Sequence, residues 1–260
     1  MSYWQAVVLG LVQGFTEFLP VSSSGHLVLA ERLAGLHTPG VFVEVALHVA
    51  TLGSVLIVYG PRLLSIFAGV RRGRARDLRY AGLLILATIP AAAIGVLFNE
   101  AVKRAFDSLL FVGIAFVVTG LILWSTRRAG GDRAAPSVWG AIGIGLAQAM
   151  AILPGISRSG STVSAGLWGR LAPAAAAEFS FLMAIPVIGG AALLESRHVA
   201  ADLAAIGVAP MAVSFTAALV SGIVAIRLLV WLLRRGRFHA FAPYCWGVGA
   251  FTLLYASWPV

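Results

Sequence analysis

Apolar residues run along this chain in blocks, and the polar residues gather at the breaks between them. A bilayer-spanning helix needs about 20 predominantly apolar residues. Six blocks meet that requirement: residues 40–60, 80–98, 107–126, 177–196, 210–233 and 240–258. Two further regions are apolar but interrupted. Region 3–33 is broken by Pro20 and a serine run, and region 137–171 by Pro154, Gly155 and a second serine-containing run. Each reads as two short helices meeting at a tip. Such re-entrant pairs are tolerated only where protein or a wet cavity surrounds the tip. The pattern predicts an all-α polytopic membrane protein with two re-entrant pairs and six spans.

The two interrupted regions resemble each other. GLVQGFTEFLPVSSSG begins at Gly10 and GLAQAMAILPGISRSG at Gly145. At a constant offset of 135, Gln13 meets Gln148, Ser22 meets Ser157, Ser24 meets Ser159 and Gly25 meets Gly160, while the prolines miss by one position. Each half is one broken pair followed by three spans. Three is an odd number, so the second half enters from the opposite face. The expectation is one membrane domain over 1–260, built from inverted repeats at about 1–126 and 137–260, with ligand chemistry where the two broken elements meet.

Charge sets the orientation. Arg62, Arg71, Arg72, Arg74, Arg76 and Arg79 fall within 61–79, Arg127, Arg128 and Arg133 within 127–136, and Arg234, Arg235 and Arg237 follow the fifth span. The opposite loops carry only Lys103, Arg104 and Arg197. The arginine-rich loops are therefore expected on the cytoplasmic side, which puts region 3–33 on the outer side. The formal net charge of +9 then reflects topology, and no nucleic-acid partner is implied. Hydrophobic residues make up 60% of the chain and charged residues 11%. A soluble domain carries about 25% charged residues. The one cysteine, Cys245, excludes an internal disulfide and a multi-cysteine metal site. MSYWQAVVLGLVQG lacks the basic flank and cleavage signature of a removable signal. Trp4, Trp231, Trp246 and Trp258 are candidate interface anchors, and Arg227 is expected to snorkel toward the cytoplasmic surface.

The chemistry is concentrated in QGFTEFLPVSSSGH, from Gln13 to His26, and in PGISRSG, from Pro154 to Gly160. Gln13 and Glu17 are i and i+4 and share a helix face. Pro20 stops that helix, and Ser22–Ser24 cap the next, whose N-terminal N–H groups would face the tip as an anion seat. Gly25 would let a ligand approach the backbone. An ionisable residue at membrane depth, such as Glu17, is a functional candidate by default. Arg158 sits at a helix N-terminus, where a cation opposes the dipole. Helix stability does not account for it, whereas phosphate binding does. A salt bridge from Arg158 to Glu17 would be compatible with that role. Ser23 and His26 are candidates to attack phosphorus or direct a water, and Glu17 to orient the histidine. Gln13 and Glu17 together offer oxygen ligands for a divalent cation, Mg2+ or Ca2+. Ser22, Ser24, Gly25, Ser157, Ser159 and Gly160 complete the expected substrate-binding set. Glu44, His48 and Glu178 serve a site and a structural role equally well. No GK[ST] follows a glycine-rich turn, so a nucleotide hydrolase is not expected.

EFLPVSSSGH together with PGISRSG resembles the two signature regions of the undecaprenyl-diphosphate phosphatase family, associated with bacitracin resistance, and the similarity extends over the whole chain. The resemblance implies hydrolysis of undecaprenyl diphosphate to undecaprenyl phosphate and inorganic phosphate. It also implies a bacterial inner-membrane location, an outward-facing site and dependence on a divalent cation. The family's catalytic serine, histidine and essential arginine match Ser23, His26 and Arg158, and its acidic motif matches Gln13 and Glu17. Glutamine stands here where many members have a first glutamate, which weakens any scheme needing two carboxylates on a metal. A homodimer is a candidate assembly. The other function class that this architecture fits is a polyprenyl-phosphate transporter or flippase.

Overall fold

The computed structural model describes residues 1–34, 40–195 and 207–257. Among these residues the chain is helical throughout, with no β-strand. The first half holds α1 (Tyr3–Phe18), α2 (Ser23–Ala34), α3 (Gly40–Arg71), α4 (Ala75–Leu97), α5 (Asn99–Asp107) and α6 (Leu109–Ser125). The second half holds α7 (Val138–Met150), α8 (Arg158–Trp168), α9 (Pro173–Glu195), α10 (Val208–Arg234) and α11 (Ala242–Ser257). Both interrupted regions are broken where the sequence predicts, α1 from α2 around Pro20 and α7 from α8 around Pro154. Arg197 and Trp258 lie outside the described residues.

Among the described residues, five helices are long and apolar enough to cross a membrane: Val45–Arg71, Ala75–Leu97, Leu109–Arg128, Pro173–Gly190 and Val208–Arg234. The chain is a polytopic membrane protein. The sixth expected span forms α11, whose 16 described residues extend about 24 Å at 1.5 Å per residue. That is short of the roughly 30 Å hydrocarbon core. A second difference concerns 61–79, expected as a loop. The helix runs through Pro61 to Arg71. Proline removes one N–H, a loss that membrane helices absorb through their neighbours. Arg62 also donates from Nε to Glu178 of α9 at 2.8 Å, tying the continued turn to the bundle. A third difference is the break at Ser108, whose hydroxyl accepts from the Phe111 N–H and starts α6 afresh after the short amphipathic α5.

Small residues set the packing. Helix α1 lies on α10, and α7 lies on α4. A Cβ added at Gly10 would come within 2.3 Å of the Ser214 carbonyl, and one at Gly145 within 2.5 Å of the Ala87 carbonyl. Without a hydrophobic force between helices in lipid, such backbone approach is what makes the contact favourable. Helices α6 and α11 pack the same way, with Gly113 against Leu253, Gly120 against Trp246 and Gly249 against Val117. Trp246 is thus packed inside, tilted against Trp124 at 5.8 Å, whereas Trp4 (75% exposed) and Trp231 (46%) face outward as expected of anchors. Phe18, Phe179, Phe181, Met183 and Leu229 fill the largest core cluster, below the first tip. Gly10→Val and Gly145→Val are each expected to lower the thermal unfolding midpoint in detergent by the equivalent of about 1–3 kcal/mol of overpacking. Gly143→Ala, where an added Cβ meets nothing within 4 Å, should leave the midpoint unchanged or raise it.

Candidate functional site

The first tip is built by a strained turn. Helix α1 ends at Phe18, and Leu19 is extended. Ser22 then adopts φ +67°, a left-handed conformation that costs a non-glycine residue on the order of 1–2 kcal/mol. That turn aims the Ser22 carbonyl along α2, where it accepts from the His26 backbone N–H (3.2 Å) and approaches the His26 ring at Nδ1 (2.7 Å). The second tip carries Gly155 at φ +90°, a conformation that glycine adopts freely. Ser157 caps α8, its hydroxyl accepting from the Gly160 N–H at 3.0 Å. Thr119 of α6 clasps this tip. Its hydroxyl donates to the Gly155 carbonyl (2.8 Å) and accepts from the Ser157 N–H (3.1 Å).

The two tips touch. A Cβ on Gly25 would lie 2.6 Å from the Phe116 ring and 2.9 Å from the Gly155 Cα, so only glycine fits there. Ser159 donates to the Leu19 carbonyl at 3.1 Å and sits 3.3 Å from Ser157 Oγ. At the junction Glu17, 6% exposed, receives a charge-assisted hydrogen bond from Arg158 Nη2. Its other oxygen accepts from Ser23 Oγ (2.8 Å) and Gln13 Nε2 (3.2 Å), and His48 Nε2 lies 3.5 Å away. Ser22 and Ser24 are 3.4 Å apart at their hydroxyls, beside this cluster. Two polar groups here are buried without a hydrogen-bond partner: Arg158 Nη1 and Gln13 Oε1. A buried orphan donor and a buried orphan acceptor, on two residues that both bond to Glu17, are groups whose bonding a ligand would complete.

The sequence allows Glu17 to orient His26, but the structure arranges them otherwise. Glu17 is bound to Ser23, Gln13 and Arg158. His26 is held at Nδ1 by the Ser22 carbonyl and at Nε2 by the Tyr244 hydroxyl, 2.8 Å away. The reason is geometric: Ser23 and His26 lie three residues apart on α2, and the left-handed Ser22 claims the imidazole first. Glu178, weighed equally as site or structure, is structural. It accepts from Arg62 and from the Tyr80 hydroxyl (3.0 Å), joining α9 to α3 and α4. The side chain of Glu44 lies outside the described residues.

The donor set suits a phosphate and a hard cation. An arginine with a free N–H edge, two serine-capped helix N-termini and a cluster of hydroxyls are what phosphate oxygens require. Among the described residues, no group of three or more His, Cys, Asp or Glu surrounds a metal position. Gln13 Oε1 and the Glu17 carboxylate are nonetheless oxygen donors on side chains one turn apart, linked by the Gln13 Nε2–Glu17 hydrogen bond. Mg2+ is commonly held by one or two protein oxygens plus water and substrate phosphates, so these residues fit such an ion.

The bacitracin resistance protein BacA family matches residues 6–251, a range that takes in both tips and the five long apolar helices. The chain belongs to this family. It is 42% identical to an undecaprenyl-diphosphatase of Desulfosudis oleivorans, over 96% of this chain and 97% of that protein. It is 38% identical to one of Desulforapulum autotrophicum, covering 98% of each chain, and 40% identical to one of Desulfatibacillum aliphaticivorans, covering 98% and 99%.

Within this BacA-family chain, two contributors escape a reading of the sequence. Thr119 and Tyr244 stand alone in apolar runs, with no spacing that marks them. His48, which the sequence leaves open between site and structure, lies beside the Glu17 carboxylate. Thr119 is 1% exposed, and its two hydrogen bonds satisfy both sides of the second tip. Thr119→Val keeps the volume but strands a buried carbonyl and a buried N–H. It is expected to cost about 1–3 kcal/mol, read as a lowered unfolding midpoint in detergent, while Thr119→Ser retains most of the native value.

Proposed function

We propose that this chain hydrolyses undecaprenyl diphosphate to undecaprenyl phosphate and inorganic phosphate, with the reaction at the junction of the two tips. Near-full-length relatives carry the name undecaprenyl-diphosphatase. The observation that carries the reading at the level of residues is the Glu17–Arg158 contact, which leaves Arg158 Nη1 buried and unpartnered while Ser23 bonds the other oxygen of the same carboxylate. In this reading Arg158 and the α2 and α8 N-termini hold the terminal phosphate and neutralise charge developing on it. Ser23 donates to Glu17 as a nucleophile's hydroxyl does to its base. That favours Ser23 as the attacking group over His26, whose ring nitrogens are both engaged. His26 is assigned a proton-transfer role, and Ser22, Ser24, Gly25, Ser157, Ser159 and Gly160 line the phosphate seat. Mg2+ or Ca2+ would be held by Glu17 and Gln13 Oε1 and would supply further charge neutralisation at the phosphates.

The same proposal extends to the architecture. We read the chain as one domain of two inverted repeats, about 1–126 and 137–260, with α1–α2 and α7–α8 as re-entrant pairs. In support, α1 packs on α10 while α7 packs on α4, a reciprocal arrangement, and Gly10 and Gly145 make equivalent approaches at the offset of 135. An apolar groove of about 600 Å³ between α1 and α10, lined by Leu11, Phe15, Val220 and Val224, offers a bed for the polyprenyl tail on the helix that carries Glu17. The arginine distribution supports a bacterial inner-membrane location with the site opening outward, and a homodimer is compatible with the exposed apolar belt.

The purified protein in detergent is expected to release phosphate from a polyprenyl diphosphate, to stop on addition of a chelator, and to recover with Mg2+ or Ca2+. Glu17→Ala, His26→Ala and Arg158→Ala are each expected to remove nearly all release. Undiminished release by the Arg158 variant would rule out its phosphate-holding role. Silence of the native protein across divalent cations would favour lipid transport over hydrolysis.

A further inference from the structure

The His26 imidazole is held from both ends. Its Nδ1 lies 2.7 Å from the Ser22 carbonyl, which can only accept, so the Nδ1 nitrogen carries the hydrogen. In the neutral ring Nε2 is then the lone-pair nitrogen, and the Tyr244 hydroxyl, 2.8 Å away, donates to it. The two rings are nearly parallel, at 6° with centroids 5.7 Å apart, and Phe116 closes the other side edge-on at 5.1 Å. Tyr244 comes from α11, more than two hundred residues along the chain. It is 48% exposed, so burial does not explain why its hydroxyl is bonded inward. No carboxylate takes part: Glu17, the nearest acidic residue on the same tip, is committed to Arg158, Ser23 and Gln13.

We propose that Tyr244 is a positioning residue for His26, holding the imidazole in the Nδ1–H tautomer with Nε2 as its lone-pair nitrogen. This rests on the assignment of His26 to proton transfer in diphosphate hydrolysis. Oriented imidazoles elsewhere use a carboxylate or a carbonyl at the nitrogen remote from the chemistry. Here the Ser22 carbonyl fills that place. Tyr244 restrains the reactive end, so the ring neither flips nor swings between turnovers, and it gives way at Nε2 to the reacting group when substrate fills the site. A base held in its working rotamer before substrate arrives contributes to kcat rather than to binding.

The test is Tyr244→Phe, which keeps the ring against His26 and removes only the hydroxyl. The expected result is a fall in kcat on the order of tenfold, in keeping with one lost hydrogen bond, with KM and the unfolding midpoint unchanged. A rise in KM alone, or an unchanged or higher kcat, would overturn the proposal. Imidazole 15N spectra of the native protein and Tyr244→Phe give a readout independent of turnover. The His26 Nε2 resonance should move toward that of a free lone pair in the variant, and no movement would equally overturn it. If the native protein releases no phosphate, the hydrolase reading fails on its own, and the 15N comparison still decides whether Tyr244 holds His26.

Discussion

The contact between Glu17 and Arg158 is the interaction on which the rest depends. It joins two helix breaks about 140 residues apart and buries an ion pair between them. Desolvating either charge singly costs several kcal/mol, and removing one partner of such a pair typically costs 3–5 kcal/mol. Each tip therefore needs the other. The surrounding bonds, from Ser159 to the Leu19 carbonyl and from Ser23 and Gln13 to Glu17, satisfy backbone and side-chain groups that water would otherwise have to reach.

That requirement explains the distribution of small residues. For the tips to meet, α2 must pass Gly155 closely, and α1 and α7 must sit deep against α10 and α4. Gly25, Gly10 and Gly145 are the points where a side chain would hold the backbones apart. Thr119 then does for the second tip what Ser22 does for the first, taking up backbone groups that the interrupted helices leave open. Packing and polar satisfaction thus converge on the same few residues.

The pair also divides the labour of the site. Once Glu17 is occupied by Arg158, Ser23 and Gln13, it cannot also serve His26, so the imidazole is oriented by a backbone carbonyl and a tyrosine from the far end of the chain. The free edge of Arg158 and the free oxygen of Gln13 remain. Those two, with the serine-capped helix ends, are bonding positions at the junction that the chain itself does not fill.

Much of this was legible in the residues themselves. Apolar blocks, the breaks at Pro20 and Pro154, the serine caps and the cost of Glu17 and Arg158 at membrane depth are local consequences of composition and backbone chemistry, and the helices follow them closely. Folding decided what depends on distance across the bundle: that Glu17 faces Arg158 and not His26, that Glu178 is a strut to Arg62 and Tyr80, that helix continues through Pro61, and that Thr119 and Tyr244 belong to the site at all. Single polar residues in apolar runs carry no periodicity, and their partners lie on helices remote in sequence, so only close packing of those helices could assign them a role.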